Sequence, residues 1–224
     1  MRTIVQMAVT SLVGLAAFGV VLFWPAGTFD YWQAWVFIAV FTICTLVPSI
    51  YLLFTNPAAL ERRMHAGPAA ETRTTQKIVI IFAFLLVPAV MVFSALDHRF
   101  GWSPVPNAVS WIGAALVAIG LAITQVVVIQ NCYAAANIAV EDSQPLVSTG
   151  LYGIVRHPMY VGVMIMLPGV PLALGSLWGL VVLIPGLIGI VVRILDEETL
   201  LRQDLMGYGE YTHKVHYRLV PHIW

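Results

Sequence analysis

The chain has 224 residues, of which 60% are apolar and only 10% are Asp, Glu, Lys or Arg; 11 basic residues balance 11 acidic ones. A soluble domain carries about 25% charged residues, so this composition excludes an ordinary water-facing surface and indicates a membrane protein. Zero net charge gives no electrostatic footprint for nucleic acid, and Cys44 and Cys132 lie in or beside apolar runs without the spacing of a disulfide framework or a zinc site.

A helix that crosses a bilayer needs about 20 apolar residues. Runs of that kind predict spans at Ile4 to Trp24, Tyr31 to Phe54, Ile78 to Leu96 and Val109 to Gln130. The first follows Arg2 as a signal-peptide core would, but a signal core has only about 7 to 15 apolar residues and ends at a small-residue cleavage site. This run is longer and no such site is followed by a polar start, so a retained helix is expected. Asn56-Pro57 then marks a helix start, and the order Leu60, Arg62, Arg63, Met64 suits a short amphipathic helix at the interface or a solvated loop that fixes topology.

Between Val161 and Val192 there are 32 residues without a charge, with Gly175-Ser176 near the middle. That is too long for one ordinary span and predicts a tight helical hairpin, a short fifth helix followed by a sixth running into Arg193. The fold class expected is all-α: a polytopic integral membrane bundle of about six transmembrane helices, the last two forming a hairpin followed by a cytoplasmic C-terminal helical segment. One domain over residues 1–224 is expected, with four spans in 1–130 and a functional part in 131–224. Pro48, Pro88, Pro168, Pro171 and Pro185 lie inside or beside spans and suggest kinks around a cavity. Trp24, Tyr31, Trp32, Trp35, Trp102, Trp111 and Trp224 fall mostly near span ends, as interfacial anchors do.

Six spans put both termini on one side. Arg2, Arg62, Arg63, Arg73, Lys77, Arg156, Arg193, Arg202, Lys214 and Arg218 then share one face, and Arg99 alone lies on the other, a division of 10 to 1. The positive-inside rule places the larger group, and both termini, in the cytoplasm.

Two polar segments, 131–160 and 193–224, flank the hairpin and meet on that face. The first ends in Arg156-His157-Pro158-Met159-Tyr160, with Gly150 and Gly153 upstream. Pro158 suits the first turn of a helix, which puts Arg156 and His157 at a helix N-terminus, a natural seat for a carboxylate or phosphate. The second begins Arg193-Ile194-Leu195-Asp196-Glu197-Glu198, four charges in six residues at a span end. Such charges are costly there unless they meet water or partners, and Arg193 and Glu197 are spaced to face each other on one turn. A basic seat beside an acidic cluster suits a zwitterionic ligand.

Arg156-His157-Pro158-Met159-Tyr160-x-Gly162, then Arg193-x-x-x-Glu197-Glu198-x-x-Leu201, then Gly209-Glu210-Tyr211 with Val215, Arg218 and Pro221, closely resemble the isoprenylcysteine carboxyl methyltransferase family, whose wider group includes phospholipid N-methyltransferases. Asn56-Pro57 to Met64 and Asn131-Cys132-Tyr133-Ala134-Ala135 are similar to bacterial members. The resemblance implies S-adenosylmethionine as methyl donor, bound by Arg156, His157, Pro158, Tyr160, Glu197, Glu198 and Tyr211. It implies Arg193 near the reacting carboxylate or headgroup, with Arg193 and Glu197 as the catalytic pair. Lys214 stands where the family pattern has a second tyrosine.

The residues by themselves are compatible with this, because no G-x-G-x-x-G follows a strand pattern and a donor site must be built otherwise. Methyl transfer from a sulfonium is an in-line displacement that needs no protein nucleophile, and a large apolar surround suits a lipid-tailed or small-molecule acceptor arriving among membrane lipids. Cys132 lacks an adjacent base and reads as structural, and His213 and His216 lack the partners of a metal site. Gly175-x-x-x-Gly179 reads as hairpin geometry more than helix pairing. Two other classes compete: a nicotinamide-dependent membrane reductase of the sterol or steroid type, distantly similar near its C-terminus, and a small transporter or assembly factor, which would place ionisable residues at mid-membrane in several spans, whereas the first four expected spans contain none.

Overall fold

The computed structural model describes residues 2–64, 71, 73–134 and 144–224, and every regular element among them is helical. Residues 65–70 of the polar segment after the second span, and Ala135 of the Asn131 motif, lie outside the described residues. The long helices are α1 (Arg2–Ala26), α2 (Trp32–Thr55), α4 (Thr74–Phe100), α5 (Asn107–Gln130), α6 (Pro158–Ala173) and α8 (Ile184–Asp204); α3 (Pro57–Met64), α7 (Trp178–Val182) and α9 (Tyr208–Lys214) are short. Among the described residues, five segments are long and apolar enough to cross a membrane: Ile4–Ala26, Trp32–Thr55, Thr74–Phe100, Asn107–Gln130 and Trp178–Asp204, the last combining α7 and α8. The sixth, α6, has 16 residues. At 1.5 Å per residue that is about 24 Å, less than a bilayer core, as the hairpin reading required of its first arm.

The hairpin turns where the small residues placed it. Gly175 takes φ +72°, a left-handed conformation that favours glycine, and its N–H donates to Leu172 O at 3.0 Å, while Ser176 N donates to Pro171 O at 2.8 Å. These bonds satisfy the carbonyls left over at the end of α6. Pro185 stands in the first turn of α8, where a missing N–H costs nothing, so it starts that helix rather than kinking it.

α4 runs one turn beyond the span expected to end at Leu96, and this brings Asp97 under the hairpin. Asp97 is 1% exposed and accepts three hydrogen bonds: from Ser176 Oγ at 2.5 Å, Ser103 Oγ at 2.6 Å and Ser103 N at 2.7 Å. Ser176 Oγ also accepts from Gly179 N at 3.0 Å. Asp97→Ala leaves these donors without their acceptor, at a cost of about 1 to 3 kcal/mol. A lower unfolding midpoint in detergent is expected; an unchanged one would show that the three bonds contribute nothing net.

α5 and α6 touch backbone to backbone. A Cβ on Gly162 would stand 2.7 Å from Gly120 O, and one on Gly169 would stand 2.9 Å from Gly113 O. Gly113 and Gly120 on α5, and Gly162 and Gly169 on α6, are each seven apart, so both pairs meet along one seam. The seam fixes the register between the start of α6 and the end of α5. There Gln130 Oε1 accepts from Leu151 N at 3.1 Å, in the 3-10 turn Gly150–Gly153.

The interior is packed by Leu22, Phe37, Met91, Val117, Leu174 and their neighbours, while the outer faces of α1 and α2 carry exposed apolar side chains such as Leu12, Val13, Ile43 and Val47. Asn56 Oδ1 caps α3 by accepting from Ala59 N at 3.1 Å, and Ala59 and Leu60 are buried, so the short helix expected after Asn56-Pro57 is present. The start of α4 is tied to α8 by a fork: Arg73 Nη2 and Nε donate to Asp196 Oδ1 at 2.6 Å and Oδ2 at 3.0 Å. That carboxylate holds the Arg73 guanidinium pKa above its usual value.

Candidate active site at the charged end of the bundle

Pro158 occupies the first turn of α6 and His157 the capping position before it, as the sequence indicated. The expected open anion seat is filled from within. Arg156 N donates to Tyr217 O at 2.9 Å and His157 N to Arg218 O at 3.0 Å, so these N–H groups are spent on the C-terminal segment. The anion at this helix end is Glu198 itself. Its Oε1 lies 3.1 Å from Arg156 Nε and 3.2 Å from His157 Nε2, and its Oε2 accepts from Arg218 Nη2 at 3.0 Å. Arg156, His157 and Glu198 are all buried. A buried carboxylate is tolerated when cations and hydrogen bonds surround it, and here two guanidinium groups and an imidazole do so.

A second cluster lies on the neighbouring turn of α8. Arg193 and Glu197 do share one face, but Tyr160 stands between them: Arg193 Nε donates to Tyr160 Oη at 2.9 Å and Tyr160 Oη donates to Glu197 Oε2 at 2.7 Å. Arg193 also donates to Gln76 Oε1 at 2.9 Å and to Glu71 Oε1 at 3.4 Å. Gln76 Nε2 in turn donates to Asp196 Oδ2 at 2.5 Å. Arg193 is therefore bound into a network that joins α4, α6 and α8.

An open cleft lies over these clusters, with about 810 Å³ of atom-free space including its solvent mouth. Its walls come from three sources. Asn131 and Tyr133 follow α5; Gln144 to Val147, Tyr152 and Arg156 to Tyr160 lead into α6; Glu197, Leu201, Leu205, Tyr208 and Tyr211 come from α8 and α9. Of the residues singled out in the sequence, Arg156, His157, Pro158, Tyr160, Glu197 and Tyr211 line the cleft together. Glu198 and Arg193 do not. Glu198 lies behind Arg156 and His157, and Arg193 reaches the cleft only through Tyr160.

Tyr211 Oη donates to Tyr152 O at 2.7 Å and so pins α9 to the Gly150–Gly153 turn. Burial pushes the Tyr152 phenol up to about 12 and raises those of Tyr208 and Tyr211 as well, so all three stay neutral donors near pH 7. Several cleft residues carried no separate signal in the sequence. Tyr208 is 3% exposed and its hydroxyl is buried without a partner among the described residues. Tyr152 accepts from Asn131 Nδ2 at 3.3 Å, and Arg218, quoted only as part of a motif, is a direct partner of Glu198. Glu71 and Gln76 both precede the third span expected from Ile78, and only the fold, which starts α4 at Thr74, brings them to Arg193.

No curated protein matches the chain. Residues 108–206, however, match the phospholipid methyltransferase family, a region that runs from the start of α5 to the end of α8 and contains Arg156, His157 and Glu198 of the first cluster and Tyr160, Arg193 and Glu197 of the second. Methyl transfer, rather than nicotinamide-dependent reduction or transport, is the chemistry this match assigns. Residues 108–206 thus resemble the isoprenylcysteine/phospholipid methyltransferase group, in a chain with five helical segments long and apolar enough to cross a membrane among its described residues.

Proposed function

We propose that the protein uses S-adenosylmethionine, held in the cleft between α6, α8 and α9, to methylate a lipid-tailed or small carboxylate or amine acceptor at the cytoplasmic face of its membrane. The observation that carries this reading is the convergence of His157, Tyr160 and Glu197, all inside the matched region, with Tyr211 of α9 on one cleft. The lining also fits a nucleoside joined to a charged amino-acid tail. Leu146, Val147, Leu201 and Leu205 supply apolar wall, Tyr208 supplies a buried hydroxyl without a partner, and Glu197 supplies an acid for amino or hydroxyl groups. Ligand sites are mostly apolar clefts with a few placed polar groups, and this lining has that character. The division of basic residues supports a cytoplasmic site.

When bound, the sulfonium donor supplies an activated methyl group that needs no protein nucleophile. The chain's contribution is to hold donor and acceptor in line and to keep water out. Arg156 and His157 are held rigid by Glu198. Tyr160 and Glu197 form the polar floor, and Arg193, bound to Tyr160, Gln76 and Glu71, orients that floor from behind. A carboxylate acceptor needs no base, whereas an amine must arrive neutral, and Glu197 is the cleft carboxylate placed to take its proton.

Tyr160→Phe removes the one hydroxyl that joins Arg193 to Glu197 while leaving the ring. Transfer of label from S-adenosyl-[methyl-³H]methionine to a lipid extract is expected to fall about ten- to a hundredfold, equivalent to losing one or two charge-assisted hydrogen bonds, with the unfolding midpoint little changed. Full activity in Tyr160→Phe would remove Tyr160 from the site.

A further inference from the structure

A second depression lies apart from the cleft, between the halves of α1 and α2 nearest the charged end. It holds about 1090 Å³ of atom-free space, open mouth included, between Thr10, Gly14 and Phe18 of α1 and Phe41, Thr45 and Ser49 of α2, and α3 roofs it with Leu60 and Arg63. Its walls belong to two segments of transmembrane length whose outer faces are exposed and apolar, so it opens toward lipid. Arg63 is partly buried at its head. The guanidinium donates to Gln125 Oε1, a neutral oxygen of α5, and no carboxylate pairs with it among the described residues. A desolvated guanidinium with only an amide partner is costly, and burial pushes the Arg63 pKa down, yet an arginine keeps its charge.

We propose that this groove binds an anionic membrane lipid, with the headgroup phosphate on Arg63 and an acyl chain between α1 and α2. Guanidinium and phosphate match in charge and fork geometry. A second copy of the chain is a poor occupant, because α1, α2, α5, α6 and α7 contain no Asp or Glu with which to meet Arg63. The layer formed by Leu52, Leu60, Met64, Val128, Cys132 and Met159 separates the groove from the cleft, and Met159 lines the cleft while Leu60 and Met64 line the groove. Lipid in the groove would therefore pack directly behind one cleft wall. The site does not depend on which donor or acceptor the cleft takes.

Native mass spectrometry of the full chain in detergent, titrated with phosphatidylglycerol, phosphatidylcholine of the same chains, or inorganic phosphate alone, tests the proposal. Phosphatidylglycerol adducts are expected to dominate, and Arg63→Gln is expected to weaken them about tenfold while Arg63→Lys recovers part of the loss. Gly14 lines the groove and offers a variant that spares Arg63: a Cβ there meets nothing within 4 Å, so the side chain of Gly14→Phe starts in open space, and the variant is expected to reduce the adduct as well. S-adenosylmethionine binding measured on the same samples separates a failure at this groove from a failure at the cleft. Equal binding of both lipids, adducts unchanged in Arg63→Gln and Gly14→Phe, full displacement by inorganic phosphate, or a dimer in place of the lipid would each overturn it.

Discussion

Replacing Glu198 by Ala is expected to lower the unfolding midpoint in detergent and to abolish binding of S-adenosylmethionine. The carboxylate is 4% exposed and lies within 3.2 Å of Arg156, His157 and Arg218. Without it, the buried Arg156 guanidinium, the partly buried Arg218 guanidinium and an imidazole face one another with no anion between them. Breaking a buried ion pair by removing one partner costs about 3 to 5 kcal/mol, most of it from the charge left behind. Arg156 and His157 line the cleft, and their own N–H groups hold the C-terminal segment through Tyr217 and Arg218, so the loss spreads to the cleft wall. Glu198→Gln keeps the shape and one acceptor oxygen but not the charge, and an intermediate effect is expected. The measurement is thermal unfolding followed by calorimetric titration on the same preparation. Normal midpoint and normal affinity in Glu198→Ala would show that the cluster does not support the site.

Gly162→Leu is expected to have the second large effect. Overpacking a well-packed interior costs about 1 to 3 kcal/mol where side chains can adjust. The first atoms a new Cβ meets are Gly120 O and Thr124 Cγ2 of α5, and the carbonyl cannot turn away without breaking its helix. The seam must open, and it holds the start of α6, with Pro158 and His157, against the end of α5. Both stability and methyl transfer should fall together. Gly19 on α1 is the control, because a Cβ there meets nothing within 4 Å; Gly19→Ala is expected to be neutral or to stabilise the helix slightly. If Gly162→Leu behaves like Gly19→Ala, the seam is not what positions α6.

These two expectations mark the boundary of what the sequence made legible. Long apolar runs locate spans because a bilayer leaves few other options for them, and the hairpin was readable because 32 uncharged residues with Gly175-Ser176 inside them cannot form one ordinary crossing. The Arg156-His157-Pro158 and Glu197-Glu198 elements were readable because charge is rare in this chain. Which charge meets which was not readable from spacing. Arg193 and Glu197 sit one helical turn apart, yet the hydroxyl that joins them belongs to Tyr160 on another helix. Glu198 looked like a ligand group but is enclosed by cations, one of which, Arg218, comes from a segment with no periodic pattern at all. The α5–α6 seam was missed for a similar reason: four glycines dispersed among Leu, Ile and Val look unremarkable until the two helices are placed in register. Asp97 was missed because α4 continues a turn past its apolar run.

The most direct measurement is photocrosslinking of labelled S-adenosylmethionine to the purified full-length protein, followed by peptide mapping. Saturable label is expected on peptides from 144–160 and 197–211, the two stretches that wall the cleft, competed by S-adenosylhomocysteine and not by a nicotinamide dinucleotide. Folded protein that takes up no label, or label confined to α1 to α4, would contradict a donor site between α6, α8 and α9.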